Sequence, residues 1–328
     1  MIITKTPFRV SFAGGGSDMA PFYKKYGGCV LSTSINKYMY LSIHPYFDEG
    51  KTLLKYSENE LVDAPSKIRH RIFRQVLSDM RVHGVEISST ADVPGGTGLG
   101  SSSAFTVGLL HTLFCYQGKY VSKGKLAELA CRVEIEKLGN PIGKQDQYAA
   151  SYGGLNFIRF NWDDSVTVEP LRMPVDAYRR LERNLVMFYT GETRSANAIL
   201  AEQKKNIRED IKARNLREMC GLAERMRESL LSGDLSGFGA ILHEGWRRKR
   251  ELAGGISTPA IDELYALALR HGAEGGKLLG AGGGGFLLFY CPEERQAELE
   301  RAMPLKPFAF RFERDGASVV YIGDKYWR

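Results

Sequence analysis

"VPGGTGLGSSSAF", Val93–Phe105, sets four glycines and three serines between two apolar runs. The residues leading into it, "VEISSTADVP" (Val85–Pro94), alternate like a strand. Those that follow, "SSSAFTVGLLHTLFCY", read as a buried helix with Ser101 or Ser102 as its N-cap. A glycine turn between a strand and a helix start leaves backbone N–H groups unpaired and uncovered. An anion can rest on them, and the helix dipole favours it by about 0.3–1 kcal/mol at an exposed end. The stretch reads as a phosphate cradle, with a plain tight loop as the alternative. A Walker A loop would follow its last glycine with a lysine, and none follows Gly100. The protein-kinase pattern begins at Gly96 and Gly98 but meets Ser101 where it needs glycine. The serines offer hydroxyls to a phosphate or a metal instead.

Outward from this loop, "MIITKTPFRVSFAG" is extended, with Pro7 arguing against an early helix. "GGCVLSTSINKYMYLSIHPY" is β-rich and broken near Asn36. Helices are expected over Lys123–Gly139, over about Lys144–Ser151, in three stretches between about Ser195 and Leu252, over "TPAIDELYALALRHG" and over Pro292–Met303. Strands are expected at "GLNFIRFN", at "NLVMFYTG" and in two short runs near the C-terminus. Leu216, Met219, Ala223, Met226 and Leu230 recur at helical spacing and belong to a core. A length of 328 residues favours two domains, and a polar, proline-bearing stretch places the boundary near residue 165, giving 1–165 and 166–328.

The net charge of +7 admits nucleic acid, a membrane surface or a small anion as partner. The basic residues are dispersed, and the one dense run, "WRRKRE" (Trp246–Glu251), reads as a solvated helix face. No apolar run approaches 18 residues, so no membrane span is expected. Cys29, Cys115, Cys131, Cys220 and Cys291 form no C-x-x-C pair, which points to free thiols in a reducing, cytoplasmic setting.

Three motifs in order carry a family resemblance. "PGGTGLGSSSA" resembles the ATP-binding motif of the GHMP small-molecule kinases, such as galactokinase and mevalonate kinase. "PFRVSFAGGGSD" (Pro7–Asp18) is similar to their N-terminal substrate motif, and "KLLGAGGGGFLLF" (Lys277–Phe289) to their C-terminal glycine loop. A Rossmann reading of this last loop fails, because a strand rather than a helix follows it. "TPFRVSFAGGGSD", "GKQDQYAASYGGLNF" and "FYTGETRSA" resemble the members that act on heptose phosphates. The resemblance implies an α+β GHMP kinase fold. Its N-terminal domain would be ribosomal-protein-S5-like, its C-terminal domain ferredoxin-like with extra helices, and the active site would lie between them.

The same resemblance implies roles. Asp146 would be the catalytic base, although a residue so near a helix start can also cap it. Arg9 would stabilise a developing alkoxide, or be a surface strand residue. Pro94, Gly95, Gly96, Gly98, Leu99, Gly100, Ser101, Ser102 and Ser103 would hold ATP. Glu134, with Ser102, would bind Mg²⁺; Glu136 competes for that role, and two residues apart on a helix the pair cannot share a face. Gly15, Gly16, Ser17, Asp18, Gly282 and Gly283 would meet the substrate, although the Gly14–Ser17 run departs from the galactokinase pattern. Lys144 and Arg194 are candidates for a phosphate borne by that substrate, or are plain exposed cations. The implied partner is a small sugar phosphate, with no nucleic acid and no membrane; a homodimer stays open. An L-fucokinase-like kinase and a nucleic-acid-binding module are the alternative functions.

Overall fold

A computed structural model of the chain describes residues 1–192, 196–207 and 209–323. β1 (Ile2–Ala13), α1 (Ala20–Tyr26) and β2 (Gly28–Pro45) open the fold, β1 and β2 pairing antiparallel along most of their length. β3 (Thr52–Lys55) and β4 (Asn59–Val62) form a small hairpin, followed by α2 (Arg71–Met80) and β5 (Val85–Ala91). The glycine stretch then delivers the chain into α3 (Ser101–Tyr116). α3 is buried along most of its length, as its largely apolar sequence requires, and Thr112 meets Thr4 of β1 hydroxyl to hydroxyl at 2.6 Å.

α4 (Lys123–Cys131) was expected to continue to Gly139, but from Arg132 to Lys137 the backbone widens into a π-helical turn, with Leu138 N–H donating to Val133 O. α5 (Gln145–Tyr152), β6 (Leu155–Phe160) and β7 (Val166–Pro170) complete the first part. α6 (Val175–Arg183) leads to β8 (Leu185–Tyr189), then to α7 (Ala196–Asn206), α8 (Asp210–Ser232), α9 (Phe238–Arg250) and α10 (Pro259–Arg270). β9 (Gly275–Leu278) and β10 (Phe286–Tyr290) join β8 in a three-stranded antiparallel sheet. α11 (Glu293–Ala302), β11 (Phe312–Glu313) and β12 (Ser318–Ile322) follow. Leu216, Met219, Ala223, Met226 and Leu230 of α8 are all buried, as their spacing requires.

One expectation changes. β2 is not broken near Asn36; it runs through, and its register against β1 slips between Pro7↔Tyr38 and Phe8↔Ile35. The slip is a bulge, stabilised from far along the chain: Asn36 N–H donates to Arg311 O at 2.9 Å, and Asn36 Oδ1 accepts from Arg311 N–H at 2.7 Å. The large sheet takes strands from both sides of residue 165. β7, β11 and β12 all belong to the large sheet, β12 pairing with β1 and β11 with β2. The five cysteines are free thiols, and among the described residues no helix is long and apolar enough to cross a membrane.

The segment between β11 and β12 presses on the end of α5. Gly153, the C-cap of α5, has φ +69°, and a Cβ there would lie 2.1 Å from Asp315 C. Gly153→Ala should therefore lower stability by roughly 1–3 kcal/mol, through positive-φ strain and overpacking. Urea unfolding of the two proteins measures this; equal midpoints would refute it.

Candidate active site

Residues Thr6–Ala13 of β1 are buried on both faces, so a charge among them must find partners. Arg9, 4% exposed, finds three. Nε donates to Asp146 Oδ1 at 2.7 Å, one terminal nitrogen to Asp146 Oδ2 at 2.8 Å, and the other to Gly98 O at 2.6 Å. Asp146 stands in the first turn of α5, yet its carboxylate is engaged by this guanidinium and by Gln145 Nε2 at 3.0 Å, so it is not a cap. Gly100 sits against the pair: a Cβ there would lie 3.2 Å from Asp146 Oδ2 and 3.4 Å from Arg9 Cγ. Gly100, at φ +77°, is itself the N-cap of α3, where a side chain would strain the turn and crowd the carboxylate.

Neither Ser101 nor Ser102 is the N-cap of α3, and no side chain caps it. Ser102 Oγ donates to Glu134 Oε1 at 2.9 Å and Ser103 Oγ to Oε2 at 2.7 Å, with Gln147 Nε2 also on Oε2 at 2.7 Å. Glu134 is 0% exposed, and burial pushes its pKa up against the pull of these three donors. Glu136 is exposed. The π-helical turn that carries both residues is the kind of insertion that recurs at functional sites.

One cleft gathers much of the expected set: Arg9, Gly15, Gly16, Asp18, Gly96, Gly98, Gly100, Ser101–Ser103 and Asp146 all line it. Asp18 accepts from Gly16 N–H at 3.0 Å and Gln145 N–H at 3.1 Å, and burial raises its pKa, with Asp146 adding to the rise. Other expected residues are employed differently. Ser17 Oγ is spent on both backbone groups of Cys29. Pro94 O accepts from Thr97 Oγ1 and Leu99 O from Arg9 N–H, so these two shape the loop, and Gly95 stands exposed outside the cleft. Gly282 and Gly283 pack on the Ile256 backbone, leaving Gly280 and Ala281 to face the cleft. Lys144 pairs with Asp164 at 3.1 Å and lies over the Tyr23 ring, away from the cleft. Arg194 lies outside the described residues.

Sequence reasoning missed the two lysines that line the cleft, Lys249 and Lys277. Lys249 lies inside "WRRKRE", the run read as solvated. Its signal was present: Phe238, Leu242, Trp246 and Lys249 recur at helical spacing, so the lysine falls on the buried stripe of α9. Gln203 and Asn197 of α7 were missed as well.

Family models for the GHMP kinases N terminal domain and the GHMP kinases C terminal match residues 67–154 and 226–308. The chain is 31% identical to the D-glycero-alpha-D-manno-heptose 7-phosphate kinase of Campylobacter jejuni, over 92% of this chain and 93% of that one. The chain belongs to the GHMP kinases. As a GHMP kinase it is an ATP-dependent enzyme with the α+β fold of that family. It is also 28% identical to the bifunctional fucokinase/GDP-fucose pyrophosphorylase of Arabidopsis thaliana, over 89% of this chain and 30% of that longer protein. A crystal structure of a D-glycero-D-manno-heptose 1-phosphate kinase from Bacteroides thetaiotaomicron superposes with a TM-score of 0.80 at 27% identity, covering 99% of this chain and all of the other.

The placement of the two glutamates separates them by experiment. Glu134→Gln should raise the Mg²⁺ concentration needed for half-maximal ADP release, whereas Glu136→Gln should leave it within about twofold, as surface changes usually do. A larger effect at Glu136 would reverse the assignment.

Proposed function

We propose that this sugar kinase transfers the γ-phosphoryl group of ATP to the anomeric hydroxyl of D-glycero-alpha-D-manno-heptose 7-phosphate, giving the 1,7-bisphosphate for nucleotide-heptose biosynthesis. The observation that carries the proposal is the Arg9–Asp146 pair set beneath Gly100 at the mouth of the phosphate loop. The likeness to the Campylobacter enzyme along nearly its whole length supports the choice of acceptor.

Asp146 accepts the proton of the anomeric hydroxyl as its oxygen attacks the γ-phosphorus, and ADP departs with the bridging oxygen. Arg9 fixes the carboxylate by both oxygens, which sets its direction before substrate arrives. Backbone N–H groups at the start of α3 receive phosphate oxygens. The anomeric hydroxyl is the most acidic on a sugar, so an aspartate suffices as base. Glu134 and Ser102 provide a carboxylate and a hydroxyl, a donor set that fits Mg²⁺ when phosphate oxygens and water complete its shell. Bound there, Mg²⁺ would offset the charge of the phosphates. We also propose that 1–165 and 166–328 serve as the two working halves around the cleft, notwithstanding the strands they exchange.

Asp146→Asn should lower kcat by about 10²–10⁴ while nucleotide affinity is retained. Parallel loss of both would assign Asp146 to cofactor binding or folding. ADP release over a panel of acceptors tests the substrate: the 7-phosphate should give the highest kcat/KM. A higher value for L-fucose, the free heptose or the heptose 1-phosphate would replace it.

A further inference from the structure

The cleft holds more positive charge than its carboxylates neutralise. α9 turns Trp246 and Lys249 inward, while Arg247 and Arg250 reach outward to Glu244 and Asp262. Lys249 is 7% exposed, and its ammonium donates to Gly280 O in the turn between β9 and β10. Lys277, 6% exposed, donates to Phe12 O at 3.0 Å. Among the described residues, neither ammonium forms an ion pair with a carboxylate. The charged groups facing Lys249 are Arg9 on β1, Asp18 in the turn behind it, Asp146 on α5 and Lys277 on β9. Asp146 is already matched by Arg9, and Asp18 by two backbone N–H groups. Burial, then Arg9, brings the Lys249 ammonium down to about 8, with Asp18 and Asp146 opposing. Burial, then Lys249 and Arg9, pushes Lys277 down as well.

A buried ammonium held only by a carbonyl is costly to keep. Position indicates what it waits for. The carbonyl of Gly98 is held by Arg9, and that of Gly280 by Lys249. These two glycines touch: a Cβ on Gly280 would lie 2.4 Å from Gly98 Cα. Two cations thus flank one point, where the phosphate loop, the C-terminal glycine loop and Asp146 meet.

We propose that Lys249 contacts the γ-phosphoryl group of ATP, exchanging the Gly280 carbonyl for a phosphoryl oxygen and carrying the charge that builds there during transfer. The inference rests on the reading of this cleft as the phosphoryl-transfer site, though not on the identity of the acceptor. Calorimetric titration of the protein with ADP and with AMP-PNP, which adds a γ-phosphoryl group, tests it without any sugar. Lys249→Met should weaken AMP-PNP by about tenfold or more, the scale of a lost charge-assisted hydrogen bond, and leave ADP within about twofold. The Met variant should melt at or above the wild type, since it removes a buried charge. Lys249→Arg should move the alkaline limb of kcat/KM, expected near the ammonium's pKa of about 8, to higher pH. Equal losses for both nucleotides together with a lower melting temperature would assign Lys249 to holding the Gly280 turn and overturn the proposal. An unchanged AMP-PNP affinity with a raised KM for a phosphorylated acceptor would place Lys249 on the acceptor's phosphate instead, and would also overturn it. So would an alkaline limb that stays where it is in the Arg variant. A wrong choice of acceptor changes only the acceptor panel and leaves the titrations standing.

Discussion

Arg9 is the joint on which the site turns. One planar guanidinium holds a strand, a loop and a helix together: it extends from β1, fixes Gly98 of the phosphate loop and grips Asp146 at the start of α5. A buried guanidinium is tolerable only when its donors are met, and here each of its three nitrogens has an oxygen between 2.6 and 2.8 Å away. A lysine could supply the charge but not this fork, which locks the distance between loop and carboxylate. The geometry of the cleft is therefore set before any ligand enters.

Two carboxylates that adjoin the phosphate loop are treated in opposite ways. Asp146 is matched by a full positive charge, whereas Glu134 is met only by two hydroxyls and an amide. Neutral donors orient a buried carboxylate without cancelling its charge, which is why burial can still lift its pKa. Environments that differ so much can divide work between like groups, and the contrast agrees with the separate roles proposed for Asp146 and Glu134.

Much of this was legible in the sequence, because the signals were local. The glycine loop, the strand before it and the helix after it follow from alternation, apolar continuity and unpaired N–H groups within about 30 residues. What was missed depends on distant partners. The bulge at Asn36 needs Arg311, 275 residues away. The capping rule for Ser102 loses to a glutamate 32 residues on. Lys249 looked solvated because Arg247 and Arg250 beside it are, although its spacing from Phe238, Leu242 and Trp246 sets it on the inner face, where the Gly280 carbonyl meets it. Lys144 was open between a phosphate ligand and a plain cation: its motif lies beside the cleft, but Asp164 holds the side chain away.

β12 pairs with the outer edge of β1 along Ile2–Lys5, and the β11–β12 connection braces the helix that carries Asp146. During vectorial synthesis on the ribosome, the edge of β1 must wait for residues 318–322 before it is covered. An uncovered strand edge is a template for wrong pairing, so the nascent chain carries this hazard until those residues have been made. The connection that settles α5 is also made late, since Gly316 rests on Ser151 O. The helix that carries Asp146 therefore gains this support only after residues 315–317 have been made, well after the helix itself.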